Sequence, residues 1–280
     1  MTDNLLIETK EIGEHRIKIY YDTDAECPVT NWDMCGRYLF EYSDRYRNRL
    51  HRDCNWKDWL CDSNHSLEDA LRCMVCSMIE QKDLISYYKR GKIDGFRFIY
   101  NRSSHQWELQ SKYMCKGEER WDVDFGIDPS DLKAYDYRDE LVENLERDDL
   151  VALIREYAKD VVIKEWSSTG YSQGDYLHGV AYVTKERYDK MCGKTDVDWR
   201  QWAEELIDAE VKEIGMWVWS DVKGYVLEKK VSYTKKYHDD EREDEEDFDW
   251  EEVGSCWGFY METDELIKEV MSEYKLKEVA

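Results

Sequence analysis

Two alternating segments, residues 95–100 and 106–114, flank the turn residues 101–104, and this spacing predicts a β-hairpin. Antiparallel pairing of this kind beside helical stripes elsewhere constrains the fold most. Residues 17–22 (IKIYYD), 161–166, 180–184, 224–233 (GYVLEKKVSY) and 255–260 (SCWGFY) also read as strands, the last two pairing around the acidic residues between them. Residues 66–69 (SLED) form a helix-start pattern that runs on through LRCMVCSMIE. Residues 199–214 (WRQWAEELIDAEVKEI) predict a helix with Trp202, Leu206, Ala209 and Ile214 approximately on one face, and residues 263–274 a closing helix. Strands in hairpins and beside helices define an α+β chain, with a mixed or antiparallel sheet and several packed helices. With two prolines and no linker-like stretch in 280 residues, a single α+β domain over 1–280 is expected, with an insertion at about 54–160.

The formal net charge of −24 bears most on partners. It argues against direct contact with nucleic acid or anionic lipid, both of which need Lys/Arg fields, and suits a basic protein surface. The N-terminal residues lack an export pattern and no apolar run has membrane-spanning length. The nine cysteines are odd in number, so a cytoplasmic protein with reduced thiols is expected.

Residues 239–252 hold eleven acids and one arginine, and subtracting their −10 leaves −14 for the other 266 residues. Residues 238–252 are expected to be a flexible, solvated loop. Residues 135–160 predict one helix, with Asp139, Glu140, Glu143, Glu146, Asp148 and Asp149 largely off its apolar stripe. Duplex DNA carries one charge per roughly 1.7 Å of axis, so a ridge of carboxylates can occupy a groove built for DNA. The candidate partner-binding residues are Glu140, Glu143, Glu146, Asp148 and Asp149, together with Asp239, Asp240, Glu243, Asp244, Glu245, Glu246 and Asp247.

The chemical motifs are few. Cys73 and Cys76 form a CxxC, and Cys54, Cys61 and His65 precede it, but the second CxxC of a strong zinc site is missing. Their apolar neighbours Leu71, Met74, Val75 and Met78 place Cys73 and Cys76 in a core, so no metal is expected. No P-loop, GxGxxG or GxSxG occurs, and no cofactor is expected. Asp22 and Asp24 follow a strand and read as a solvated strand end. Residues 170–176 (GYSQGDY) read either as a turn entering the next strand or as a pocket rim. In the second case Gln173 and Asp175 would join Asp22 and Asp24 in a polar pocket for a small ligand or an enzymatic reaction.

GYSQGDY resembles a segment recurring in acidic proteins of tailed phages and mobile elements that have no assigned activity. Residues 21–36 (YDTDAECPVTNWDMCG) and 253–260 (VGSCWGFY) are similar to two further segments of that group, and residues 199–214 with the following SDVKGYVLE to a third. The resemblance carries no catalytic residue. It implies a phage context, in which small acidic proteins block host defence by occupying nucleic-acid channels. The leading expectation is therefore an inhibitor of a host nuclease or other defence complex, of the anti-CRISPR or antirestriction kind, including mimicry of DNA. A small-ligand binder or enzyme, and an accessory protein whose acidity serves solubility alone, are the alternatives.

Overall fold

A computed structural model describes residues 5–42, 66–169, 176–193, 198–235 and 245–277. The elements follow in the order β1 (Leu6–Ile12), β2 (His15–Tyr21), α1 (Pro28–Asn31), β3 (Arg37–Tyr42), α2 (Leu67–Met78), α3 (Gln81–Lys89), β4 (Phe96–Asn101), β5 (Gln106–Cys115) and β6 (Glu118–Ile127). Then come α4 (Asp131–Ala134), α5 (Arg138–Val142), α6 (Arg147–Tyr157), β7 (Val161–Thr169), β8 (Tyr176–Thr184), α7 (Lys185–Cys192), α8 (Trp199–Val218), β9 (Lys223–Lys235), β10 (Glu245–Phe259) and α9 (Thr263–Glu273). Among the described residues the strands form three antiparallel sheets, ordered β1-β2-β9-β10, β3-β8-β7 and β4-β5-β6, and the fold is α+β.

The chain groups into two compact units where a single domain was expected: Met1–Asp33 with Lys212–Ala280, and Met34–Val211. The second unit is continuous in the chain and contains residues 54–160. Nothing in its composition marks the ends, because the second boundary falls inside the continuous helix α8.

In the first unit, alternation in β2 and β9 turns Ile17, Ile19, Tyr225 and Leu227 to one sheet face, where Leu266, Ile267 and Val270 of α9 cover them. The opposite face carries a half-buried ion cluster. Burial pushes the Glu228 carboxyl up, and hydrogen bonds from Arg16 and Lys18 more than offset this, holding it below the usual carboxylate range.

In the second unit, β8 lies between β3 and β7, with Leu39, Phe40, Leu177, Val180, Ala181 and Val183 buried. Helix α2 opens on a complete capping box, in which Asp69 N–H donates to Ser66 Oγ and Ser66 N–H donates back to the Asp69 carboxylate. Its stripe Leu67, Ala70, Leu71, Met74 and Val75 is buried, but Cys73 is exposed and Cys76 half-buried. The pair thus flanks the apolar stripe instead of belonging to the core, because the stripe is centred on Leu71, Met74 and Val75.

The sequence reads residues 135–160 as one helix, and the structure divides them. Helix α5 ends at Val142, Glu143–Glu146 turn, and α6 begins at Arg147 after Glu146 takes an extended backbone (ψ 165°). Burying Leu141, Val142 and Leu145 together with Leu150, Val151, Leu153 and Ile154 requires this break, since the two apolar groups are out of helical phase. Asp148 and Asp149 then occupy the first turn of α6, where the helix dipole favours negative charge.

Residues 245–252 are likewise a strand and not a loop. Glu245, Asp247, Asp249 and Glu251 stand opposite Lys235, Tyr233, Val231 and Lys229 of β9, and Phe248 and Trp250 lie on the other face. The lysines of β9 offset the acid density that reads as disorder. Residues 238–244 lie in the part of the acidic block outside the described residues.

Candidate functional site

Glu143, Asn144, Leu145 and Glu146, the turn between α5 and α6, lie where three surface clefts of the second unit meet. The first cleft, about 530 Å3, is bounded by Asp94, Asp124, Glu146 and Asp149 with Ser111, Phe96 and Asn144. Ser111 Oγ donates to Asp124 at 2.7 Å, and among the described residues no lysine or arginine lines the wall. A second cleft, about 690 Å3, holds Asp69, Arg72, Cys73, Cys76, Asp139, Glu140 and Glu143. The third, about 550 Å3, is lined by Glu41, Glu68, Arg72, Glu143, Glu146, Arg147, Asp148 and His178, among others. Glu143 and Arg72 are common to the second and third, and Asn144 and Glu146 to the first and third.

The basic side chains in these walls each face a carboxylate, although the buried Arg147 Nε makes no hydrogen bond. Arg72 donates to Asp69 and to the carbonyls of Val142 and Leu145, so it fastens α2 to the α5–α6 turn. Arg147 lies 4.0 Å from Glu165, and Arg155 also reaches that carboxylate. His178 Nε2 sits 3.3 Å from Glu41 Oε2, while the other Glu41 oxygen accepts from Leu67 N–H at 2.8 Å. Glu41 and His178 are cross-strand partners in β3 and β8. What remains for a ligand is a surplus of carboxylate, which suits cationic groups.

Burial and crowding of carboxylates both act on Asp149. Burial, then the neighbouring Glu146, Asp148 and Asp94, push its carboxyl above the usual range. A carboxyl whose folded pKa is raised destabilises the fold wherever it is ionised, and the penalty fades as pH falls through the raised value towards the ordinary one. Asp149→Asn should therefore unfold at higher urea than the parent at neutral pH. The two midpoints should converge below about pH 3, where the carboxyl is protonated in both states. A variant less stable than the parent at neutral pH would contradict this.

All five sequence-predicted acids of residues 140–149 are thus brought to clefts. They are spread around a turn, not arrayed along one helical ridge. Glu246 and Asp247 lie in β10 of the other unit, Glu245 opens that strand, and Asp239, Asp240, Glu243 and Asp244 lie outside the described residues. Of the alternative pocket, Gln173 and Asp175 lie outside the described residues, as do Cys54, Cys61 and His65. Asp22 and Asp24 form a local turn, with Asp24 N–H donating to Asp22 Oδ1 at 3.1 Å. Residues 170–175 of GYSQGDY lie outside the described residues; β7 and β8 pair antiparallel as far as Thr169 and Tyr176, and β8 begins at Tyr176, ahead of the expected residue 180.

Sequence reasoning missed two groups. One is the Glu41–His178 pair. The other surrounds Glu210, a buried acid on α8 whose two oxygens accept from Cys35 N–H and Gly36 N–H at 2.9 Å each, and from the Tyr38 hydroxyl. Arg187 donates to the carbonyls of Met34 and Cys35 from the other side. Burial, then Cys192 and Glu210, push the Cys35 thiol up to about 11, and burial with the adjacent Asp139 pushes Cys76 up to about 12. Both thiols are protonated at neutral pH and are poor nucleophiles. Among the described residues no group of three or more His, Cys, Asp or Glu is arranged to hold a metal ion, and no helix is long and apolar enough to cross a membrane.

Comparison of the chain with protein-family models, with curated proteins and with solved structures finds no match. No activity or fold assignment is therefore transferred from a relative.

Proposed function

We propose that the protein is a binding protein that engages a basic protein surface through its carboxylates and competes there with nucleic acid. The observation that carries this reading is the junction at residues 143–146. Exposed Glu140, Glu143, Glu146 and Asp148, with the half-buried Asp149, line three adjoining clefts in which the acids outnumber the arginines Arg72 and Arg147, each of these lying within 4.0 Å of a carboxylate. Lysine or arginine side chains of a partner would fill such clefts, and the net charge of −24 would speed their encounter. The target is a nucleic-acid-binding protein of a defence or processing complex. This last step rests on the acidity and on the phage-type resemblance of GYSQGDY and SCWGF.

The test uses the immobilised full chain to capture proteins from a bacterial lysate at low salt. Binding of the principal basic component is then compared between the parent and a variant carrying Glu140→Gln, Glu143→Gln, Glu146→Gln, Asp148→Asn and Asp149→Asn. The variant should keep its fold by circular dichroism and lose at least about tenfold in affinity, as expected when several charge contacts go together. Duplex DNA should displace the parent from the same component. A folded variant that binds as tightly as the parent, or a complex that holds DNA at the same time, would overturn the proposal.

A further inference from the structure

Among the described residues strand β10 is an outer strand of its sheet, and it is exposed over most of its length. Beyond Lys229, where β2 ends its pairing with β9, β9 and β10 continue together as far as Lys235 and Glu245. Lys230 N–H donates to the Glu14 carbonyl at 2.7 Å, so the even-numbered residues of β9 here turn their backbone groups away from β10. The register Asp247↔Tyr233 and Asp249↔Val231 then directs the backbone of those two acids into the β9 ladder. Glu246, Phe248, Trp250 and Glu252 consequently turn their N–H and C=O groups to the open edge. Two of these donors are occupied locally, Phe248 N–H by Asp247 Oδ1 at 2.9 Å and Trp250 N–H by Asp249 Oδ1 at 2.8 Å.

The side chains beside this edge are sorted by face. Asp247, Asp249 and Glu251 share one face; Lys229 stands opposite Glu251, but among the described residues neither Asp249 nor Glu251 makes a salt bridge within 4.0 Å. Phe248 and Trp250 lie on the other, flanked there by Glu246 and Glu252, and Lys230 Nζ stands 3.8 Å from the Phe248 ring centre and the Arg16 guanidinium 4.4 Å from that of Trp250. Phe248 is 46% exposed, which is high for a large apolar ring in a strand.

We propose that the edge from Glu246 to Glu252 accepts an extended segment of a partner protein as an added strand, with lysine or arginine at every second position and apolar residues between. Strand addition supplies main-chain hydrogen bonds for affinity, and alternate side chains supply specificity. The basic side chains of the added strand fall on the face of Asp247, Asp249 and Glu251, and draw the two aspartates off the amides they cover. Its apolar side chains fall beside Phe248 and Trp250. Six acids in the eight residues 245–252 repel a second copy of the chain from the same edge, so the occupant is a basic partner and not a dimer mate. The inference rests on the reading of the protein as a binder of basic partners and specifies how one partner segment is held.

The test titrates the full chain with a synthetic peptide of alternating lysine and valine, and with two controls of the same charge: the same sequence N-methylated on alternate backbone amides, and a peptide with its lysines and valines in blocks. The alternating peptide should bind at least about tenfold tighter than either control and protect the amides of Phe248 and Trp250 from hydrogen exchange. Phe248→Pro removes an outward N–H that Phe248→Ala keeps, at a position where an edge strand tolerates proline, and should weaken the alternating peptide to the level of the controls and further than Phe248→Ala does. Equal binding of all three peptides would overturn strand addition while leaving charge-driven binding intact. Binding of none would overturn it as well, whereas loss of the cleft variant's affinity for the captured protein is read separately.

Discussion

Glu210→Ala should cost about 3–5 kcal/mol of stability, a large part of the ~5–15 kcal/mol available to a domain. The carboxylate is buried on α8 and satisfies the backbone amides of Cys35 and Gly36 and the hydroxyl of Tyr38. Removing it strands three donors away from water, and each loses the full cost of desolvation rather than the small net value of one bond. Gly36 is part of the same arrangement. A Cβ there would run into the Tyr38 hydroxyl and the Glu210 carboxylate, so glycine is what lets the acid approach the backbone. Glu210→Gln keeps one good acceptor and sets its amide against a facing N–H, so its cost should be about half that of alanine. Urea unfolding of the three proteins gives the order. An alanine variant within about 0.5 kcal/mol of the parent would show that the acid does not hold this turn.

Gly179→Ala should be comparably severe, at or above about 3 kcal/mol, for a steric reason. Gly179 sits in the central strand β8, opposite Phe40 of β3 and Trp166 of β7. An added Cβ would run into the Leu39 carbonyl oxygen and come within 2.9 Å of Phe40 Cα. These are backbone atoms of a paired strand, so no side-chain rotation relieves the contact, and the β3–β8 ladder must open instead. The expected result is a lower urea midpoint, with weakened protection of the β3 and β8 amides in hydrogen exchange. A variant with the parent's midpoint would contradict the close approach of these two strands.

The legible part of the fold followed from periodicity. The 95–114 hairpin, the pairing of residues 224–233 with 255–260, the SLED helix start and the α+β class all appear where alternation, helical stripes and a capping box predict them. Periodicity failed where charge was counted as exposure. Helix α8 buries Ala203, Ile207, Glu210, Val211 and Ile214, whereas Ala209 is exposed; excluding acids from the stripe turned the predicted face towards Ala209. A spacing of four, three and four residues from Ala203 to Ile214 was present all along, with Glu210 as one of its members. In β10, Glu245 and Glu251 stand opposite Lys235 and Lys229 of β9, and Lys235 also reaches Asp247, a pairing visible only once the partner strand is known. Of the candidate site, the identity of the acids in residues 140–149 was legible, but their convergence on clefts depends on a break after Val142. That break is dictated by long-range packing of Leu145 and Leu150, which local propensity does not encode.

The central claim is that carboxylates, and not an apolar patch or a catalytic pocket, hold the partner. The most direct test is the affinity of the full chain for its captured partner as a function of salt. If several carboxylates meet lysines and arginines at the clefts, log affinity falls steeply and linearly with log salt, by at least about tenfold between low and physiological ionic strength. Affinity that stays level across that range would contradict the account.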